Sequence, residues 1–177
     1  MGDSMMSGFC EKPGNCLEGA TMLELNVPGL GTLALEHLAL DLNGTIAVDG
    51  RVLPGVEERL AELSPDLSIH LLSADTLGRG SVTAARLGVE LVRVAAGAES
   101  SGKRQFVERL GVDRVVAIGN GANDRDMLEA AALGIAVLGR EGLAITSLVA
   151  ADVVVANVRD ALDLLLHPQR LVATLRR

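Results

Sequence analysis

Aromatic side chains are nearly absent: the 177 residues include two Phe and no Trp or Tyr. Stacking platforms for single-stranded nucleic acid are thereby excluded. A basic face for duplex binding is missing as well, because the net charge is −7 and no basic run occurs. No segment has the roughly 20 continuous apolar residues of a membrane span. Residues 1–21 lack the apolar stretch of a signal peptide. The two cysteines, Cys10 and Cys16, both fall in that segment, so neither a disulfide framework nor a zinc site is indicated. A reducing cytoplasm is the simple reading. Residues 1–21 read as a disordered leader carrying two free thiols, and Met22 as a possible functional start.

What remains is aliphatic. Apolar residues make up 49% of the chain, and a core of Leu, Val, Ile and Ala suits buried parallel strands covered by helices. The length suits one domain, over residues 22–177. Leu23–Val27 alternates as a strand, Pro28-Gly29-Leu30-Gly31 turns the chain, and Thr32–Glu36 returns, which predicts an N-terminal hairpin. Strand and helix patterns then alternate. Strands are expected at Leu38–Leu42, Ser68–Leu72, Glu90–Val94, Arg114–Ile118, Ile135–Leu138 and Val153–Val155. Helices are expected from Pro54 to Leu63, up to about Leu87, from a cap at Ser100 or Ser101 to about Leu110, over Asp126–Ala132, and after each of the last two strands. This is a three-layer, Rossmann-like α/β fold with a mainly parallel sheet.

Ligands of open α/β sheets bind at the carboxyl ends of the strands. Asp41 closes the first of these strands and is followed by Leu42-Asn43-Gly44-Thr45. Ser73 closes the second. Lys103 opens the helix before the fourth, whose loop is Gly119-Asn120-Gly121-Ala122-Asn123-Asp124. Lys103 stands against the compositional habit, because the chain has 14 Arg and only one other Lys, Lys12. Two carboxylates, a hydroxyl and an ammonium at one edge suit phosphoryl transfer. A carboxylate can attack phosphorus, and magnesium takes hard oxygen ligands. Asp41 and Asp124 could supply the carboxylates, Ser73 could donate to a phosphoryl oxygen, and Lys103 could balance charge.

Two other motifs lose on inspection. Residues 97–104, GAESSGKR, approach the P-loop pattern, but Arg104 stands where the magnesium-binding hydroxyl belongs. Residues 29–34, GLGTLA, imitate a dinucleotide fingerprint but sit in the predicted hairpin turn. His37, His70 and His167 have no ligand spacing.

The run DLNGT at 41–45, Ser73 after its strand, Lys103 and GNGAND at 119–124 resemble, in order, the four motifs of the haloacid dehalogenase superfamily. The last is most similar to the phosphorylation domain of P-type ATPases, and the group resembled is the soluble P-type ATPase-like proteins. The resemblance covers residues 22–177. It implies a magnesium-dependent phosphohydrolase with Asp41 as nucleophile and metal ligand. The other implied ligands are the Asn43 carbonyl, Asp124 and Asn120. Ser73 and Lys103 are implied to bind the transferring phosphoryl group. Gly44 would let the loop pass close to that group, a Gly44 or Thr45 amide would donate to it, and Asn123 would hold the loop. Asp75 and Asp126 fall near the site as supporting groups.

Two departures from the pattern matter. Asn43 stands where the family's phosphatases usually carry an acid, and an amide cannot do general acid–base work. Asn120 replaces an Asp and lowers the charge at the metal. A slow enzyme is expected, or alternatively a weakly active or inactive module that binds a phosphorylated ligand or protein partner. Only about 30 residues separate Asp41 from Ser73, and Ser73 from Lys103, which leaves no room for the family's cap domain. An open site suits a phosphoprotein; one closed by a second copy of the chain suits a small phosphorylated molecule. The ATPases' nucleotide-binding domain and membrane helices have no counterpart in the sequence.

Overall fold

The computed structural model describes residues 22–75 and 78–177. The expected leader, with Cys10 and Cys16, lies outside the described residues. The chain opens with an antiparallel hairpin, β1 (Leu23–Val27) and β2 (Gly31–Leu35), with Leu23 opposite Leu35. The main sheet has six parallel strands: β3 (His37–Asp41), β6 (Ser68–Ser73), β7 (Glu90–Arg93), β8 (Val115–Gly119), β9 (Leu133–Val137) and β10 (Val153–Val155). Their order across the sheet is β10-β9-β8-β3-β6-β7. The fold is therefore the three-layer α/β arrangement expected, hairpin included. Strands β8 and β9 are buried at every position. That is why they read as unbroken apolar runs and not as alternating ones.

Helices α1 (Val56–Leu63), α2 (Arg79–Leu87), α3 (Glu99–Leu110), α4 (Arg125–Ala130), α5 (Ile145–Ala150), α6 (Val158–Leu166) and α7 (Pro168–Leu175) complete the chain. One core joins Leu38, Leu40, Leu71 and Ile118 of the sheet to Leu60 of α1, Leu162 of α6 and Leu25 of the hairpin. The other joins Ala39, Leu72 and Ala117 to Phe106 of α3 and Met127 of α4. Successive residues of a strand face opposite ways. Leu38 and Leu40 thus belong to the α1/α6 face, and Ala39 and Asp41 to the α3/α4 face. A bidentate pair locks α1 to α6, with Arg59 Nε 2.7 Å from Asp163 Oδ1 and Nη2 3.0 Å from Oδ2. No helix among the described residues is long and apolar enough to cross a membrane.

Three local expectations need correction. The helix expected from Pro54 begins at Val56, because Gly55 takes a left-handed conformation at its N-cap. Neither Ser100 nor Ser101 caps α3, which starts at Glu99 with Ala98 as N-cap. Ser100 instead donates to Asp126 at 2.6 Å, and Ser101 to the Ala98 carbonyl. A small hairpin, β4 (Ala47–Val48) and β5 (Arg51–Val52), was not expected. Its strands are too short to show a period. Its turn, Asp49-Gly50, has both residues at positive φ, the geometry that Asp-Gly favours in two-residue hairpins.

Chain direction across the sheet reverses at β3. The connections through α1 and α2 run outward to β6 and β7. Helix α3 then crosses back, and α4 and α5 lead outward to β9 and β10. The switch point lies between β3 and β8, where a crevice opens beyond the carboxyl ends of the strands.

Candidate functional site

At that switch point Asp41 ends β3, and the Asn120–Asp124 loop leaves β8. Three charges meet there out of water. Lys103, 1% exposed, donates to Asp41 Oδ1 at 2.6 Å and to Asp124 Oδ1 at 2.5 Å. Asp124 is fully buried, and its second oxygen accepts from the Asn120 and Gly121 amides at 2.9 and 2.8 Å. Asp124 thus closes its own loop with one oxygen and holds the lysine with the other. The Thr45 hydroxyl lies 3.0 Å from both Asp41 Oδ2 and Asn120 Oδ1, which ties the β3 loop to the β8 loop.

The electrostatics follow from burial. Asp41 is pushed up to about 6, first by burial and then by the Asp124 charge; Lys103 and Thr45 oppose the shift. Burial works against the charge of Lys103, but the two carboxylates outweigh it and hold the ammonium above the usual lysine range. The triad therefore carries more negative charge than one ammonium comfortably balances.

The other expected residues divide. Ser73 is buried and stays outside the triad. Its oxygen accepts from the Asp75 amide at 3.1 Å, which leaves its own O–H free to donate. With the exposed Asn43 it lines a cavity of about 170 Å³ beside the triad. The Gly44 amide is committed to the Ala47 carbonyl at 2.8 Å, so of the two candidate donors in this turn only the Thr45 amide remains for a phosphoryl oxygen. Asn123 is exposed, and its side-chain oxygen occupies the space that a Cβ on Gly121 would need. Asp75 caps α2 through the Gly80 and Ser81 amides. His37 and His70 come together, with Nδ1 to Nε2 3.3 Å apart, but at the end of β3 opposite Asp41.

Sequence reasoning missed Glu141. The segment after β9 is stitched to the β8 loop by three bonds: Asn120 Nδ2 to the Gly142 carbonyl, the Ala144 amide to the Asn120 carbonyl, and Ser147 Oγ to the Gly121 carbonyl. This brings the Glu141 carboxylate against Gly44. A Cβ on Gly44 would lie 2.8 Å from Glu141 Oε2 and 2.9 Å from both Asn120 side-chain atoms, and φ there is +81°. Gly142, at φ +90°, has open space instead. Gly44→Ala is thus expected to cost roughly 1–3 kcal/mol for the backbone alone and to displace Asn120 or Glu141 besides. Chemical denaturation of both variants checks this, with Gly44→Ala losing clearly more than Gly142→Ala.

The donor set suits a hard divalent cation. Asp41 offers carboxylate oxygens, Asn120 Oδ1 shares the Thr45 hydroxyl with one of them, and the turn's hydrogen bonds bypass the Asn43 carbonyl. Asp124 Oδ1 is reachable only if shared with Lys103. Burial first, and the Asp124 charge second, raise the Asp41 carboxyl, and a cation held beside it would offset both.

No protein-family model matches the chain. The uncharacterized protein MJ0073 of Methanocaldococcus jannaschii is 43% identical over 84 residues, covering 45% of this chain and 90% of that protein. Among solved structures, 3-deoxy-D-manno-octulosonate 8-phosphate phosphatase of Moraxella catarrhalis, in complex with magnesium, phosphate and KDO, matches with a TM-score of 0.61 at 16% identity, over 80% of this chain and 94% of that one. A putative HAD family hydrolase of Streptomyces avermitilis gives 0.57 at 22% identity, over 80% and 84%. A zinc-transporting PIB-type ATPase in its E2.Pi state gives 0.58 at 21%, over 81% of this chain and 21% of the ATPase.

Proposed function

We propose, for a chain that belongs to the family of protein MJ0073 by its sequence and has a fold similar to that of haloacid dehalogenase hydrolases, a magnesium-dependent phosphohydrolase that works through an aspartyl phosphate on Asp41. The observation that carries it is the buried Asp41–Lys103–Asp124 triad at the sheet's switch point. A carboxylate placed at a strand end beside an ammonium is a nucleophile whose product charge is already balanced. The phosphatase of similar fold, solved with magnesium and phosphate, and the ATPase in its E2.Pi state support the same reading.

An Asp41 oxygen attacks phosphorus. The bond from phosphorus to the leaving oxygen breaks, and that oxygen keeps the electron pair. Asn43 can donate a hydrogen bond to it but no proton, so the proton comes from solvent. Water then attacks phosphorus of the aspartyl phosphate and gives up a proton to solvent, the phosphorus–oxygen bond to Asp41 breaks with its electron pair returning to the carboxylate, and phosphate leaves. Lys103 stays within reach of the phosphoryl oxygens throughout, and Ser73 and the Thr45 amide donate to them. Asp41, Asn120, the Asn43 carbonyl and a shared Asp124 oxygen would hold magnesium. When bound, it supplies positive charge against the phosphoryl oxygens.

Release of phosphate from 4-nitrophenyl phosphate, with and without magnesium, tests this against Asp41→Asn. Turnover that requires magnesium and vanishes in the variant is expected; equal turnover in both chains would sink the nucleophile assignment. Asn43→Asp supplies the missing acid. It is expected to raise kcat by about tenfold or more on an alkyl phosphate, where a fully positioned acid contributes roughly 10²–10⁴. The gain on an aryl phosphate, whose leaving group needs no proton, is expected to be smaller.

A further inference from the structure

Between residues 22 and 166, Arg59, Arg86, Arg93, Arg104, Arg114 and Arg125 are in ion pairs, and Arg109 lies over the Phe106 ring. Arg51, Arg79, Arg140 and Arg159 have no carboxylate partner among the described residues, and all four line cavities at the carboxyl edge of the sheet. All four are exposed, and Arg170, Arg176 and Arg177 near the C-terminal end are likewise in none of the ion pairs of the described residues. It is the gathering of four guanidinium groups at one edge, beside the site, that suits an external anion.

The cavity on the β9/β10 side is built most completely. It has a volume of about 390 Å³ and lies between Thr45 of the triad's network, Arg140, Asn157 and Arg159. The Arg159 stem packs over Gly55, whose added Cβ would meet its Cδ at 3.3 Å. Asn157 caps α6 by accepting from the Asp160 amide at 3.2 Å and donates its own side-chain amide to the Asp160 carboxylate at 2.6 Å, so the charge of that helix end is already balanced and the anion is left to the two arginines. Asp49 lines the adjoining cavity with Arg51 and Arg140, and Glu141 follows Arg140 in the chain, but neither comes within ion-pair distance of them. Arginine's planar fork matches phosphate and carboxylate oxygens in pairs. The volume falls within the roughly 300–1,000 Å³ usual for small-molecule sites.

We infer that this cavity is a subsite for a second anionic group on a small phosphorylated substrate, gripped by Arg140 and Arg159 while the transferring phosphoryl group sits at Asp41. The inference rests on the phosphohydrolase reading above and narrows its substrate to a phosphate ester that carries a further phosphate or carboxylate.

The test compares kcat/KM for fructose 6-phosphate, fructose 1,6-bisphosphate and 6-phosphogluconate. The native chain is expected to favour at least one of the two dianionic-site substrates over fructose 6-phosphate by about tenfold or more, and the better of the two tells phosphate from carboxylate. In Arg140→Ala/Arg159→Ala that ratio is expected to fall at least tenfold, and Arg140→Lys/Arg159→Lys to recover part of it. A native ratio near one, or an unchanged ratio in the double alanine variant, overturns the subsite. If no ester is hydrolysed, the phosphohydrolase reading fails on its own. The subsite is then judged by calorimetric titration of fructose 1,6-bisphosphate into Asp41→Asn with and without the two alanines. A tenfold weaker Kd with the alanines supports it, and equal affinities overturn it.

Discussion

Asp41→Asn is expected to end phosphate release and, in metal-free buffer at pH 7, to make the protein more stable. The first effect follows from removing the proposed nucleophile, a loss of roughly a thousandfold or more where catalysis runs through a covalent intermediate. The second follows from the buried charge. The Asp41 carboxyl rises from 3.8 to about 6, first because it is buried and then because Asp124 faces it. Between those values the folded chain holds a proton that the unfolded chain has lost. Stability therefore falls as pH rises through that window, and above about 6 the whole cost stands. A shift of that size corresponds to roughly 2–3 kcal/mol. An uncharged, isosteric amide removes most of it, and each kcal/mol is worth about 2–4 °C in a chain of this length. The native chain should approach the variant's stability as pH is lowered toward 4. Magnesium is expected to raise the native midpoint and leave that of the variant nearly unmoved. Thermal melts from pH 4 to 8, with and without magnesium, check all of this, and a native chain more stable than Asp41→Asn in metal-free buffer at pH 7 would contradict the account. Such a trade of stability for a charged nucleophile is common where a site is built for chemistry.

Legibility in the sequence tracked how each residue is held. Asp41 and the Asn120–Asp124 loop could be placed because strands β3 and β8 are buried on both faces, and buried strands print as continuous apolar runs whose ends are visible. Lys103 stood out because a lysine in an arginine-rich chain signals a point charge and not a surface habit. The Thr45 link between Asp41 and Asn120 was not legible as a link. It spans 75 positions and depends on two loops meeting. Glu141 and Arg140 were missed for the same reason. They sit in an irregular segment that has no period, and only its three hydrogen bonds to the β8 loop bring it to the site. The β4–β5 hairpin did leave a trace, in Asp49-Gly50, but strands of two residues carry no alternation to confirm it. The commitment of the Gly44 amide to the Ala47 carbonyl is likewise a property of turn geometry and cannot be read from spacing.

Lys103→Met is expected to do the opposite of Asp41→Asn. The lysine side chain is 1% exposed and is the only ammonium within ion-pair distance of Asp41 and Asp124 among the described residues. Methionine has similar bulk and no charge. Removing the ammonium leaves two carboxylates buried side by side, and breaking a buried ion pair from one side costs about 3–5 kcal/mol. The loss should shrink on acidification, because Asp41 then takes up a proton and one of the two charges disappears. It should also shrink in magnesium, because a divalent ion on Asp41 restores part of the missing positive charge. Adding Asp41→Asn to Lys103→Met is expected to recover more than the roughly 2–3 kcal/mol that it gives in the native background, because the Asp41 charge is costlier without its ammonium. Denaturant titrations of the four chains at pH 7 and pH 5 form the cycle. If Lys103→Met were as stable as the native chain at pH 7, the triad would not be held together by charge, and Asp124 would be a loop-closing residue alone. With the expected result, the lysine, present once in the described chain and placed between two acids, is what lets the Asp41 carboxylate stay charged at the buried end of β3.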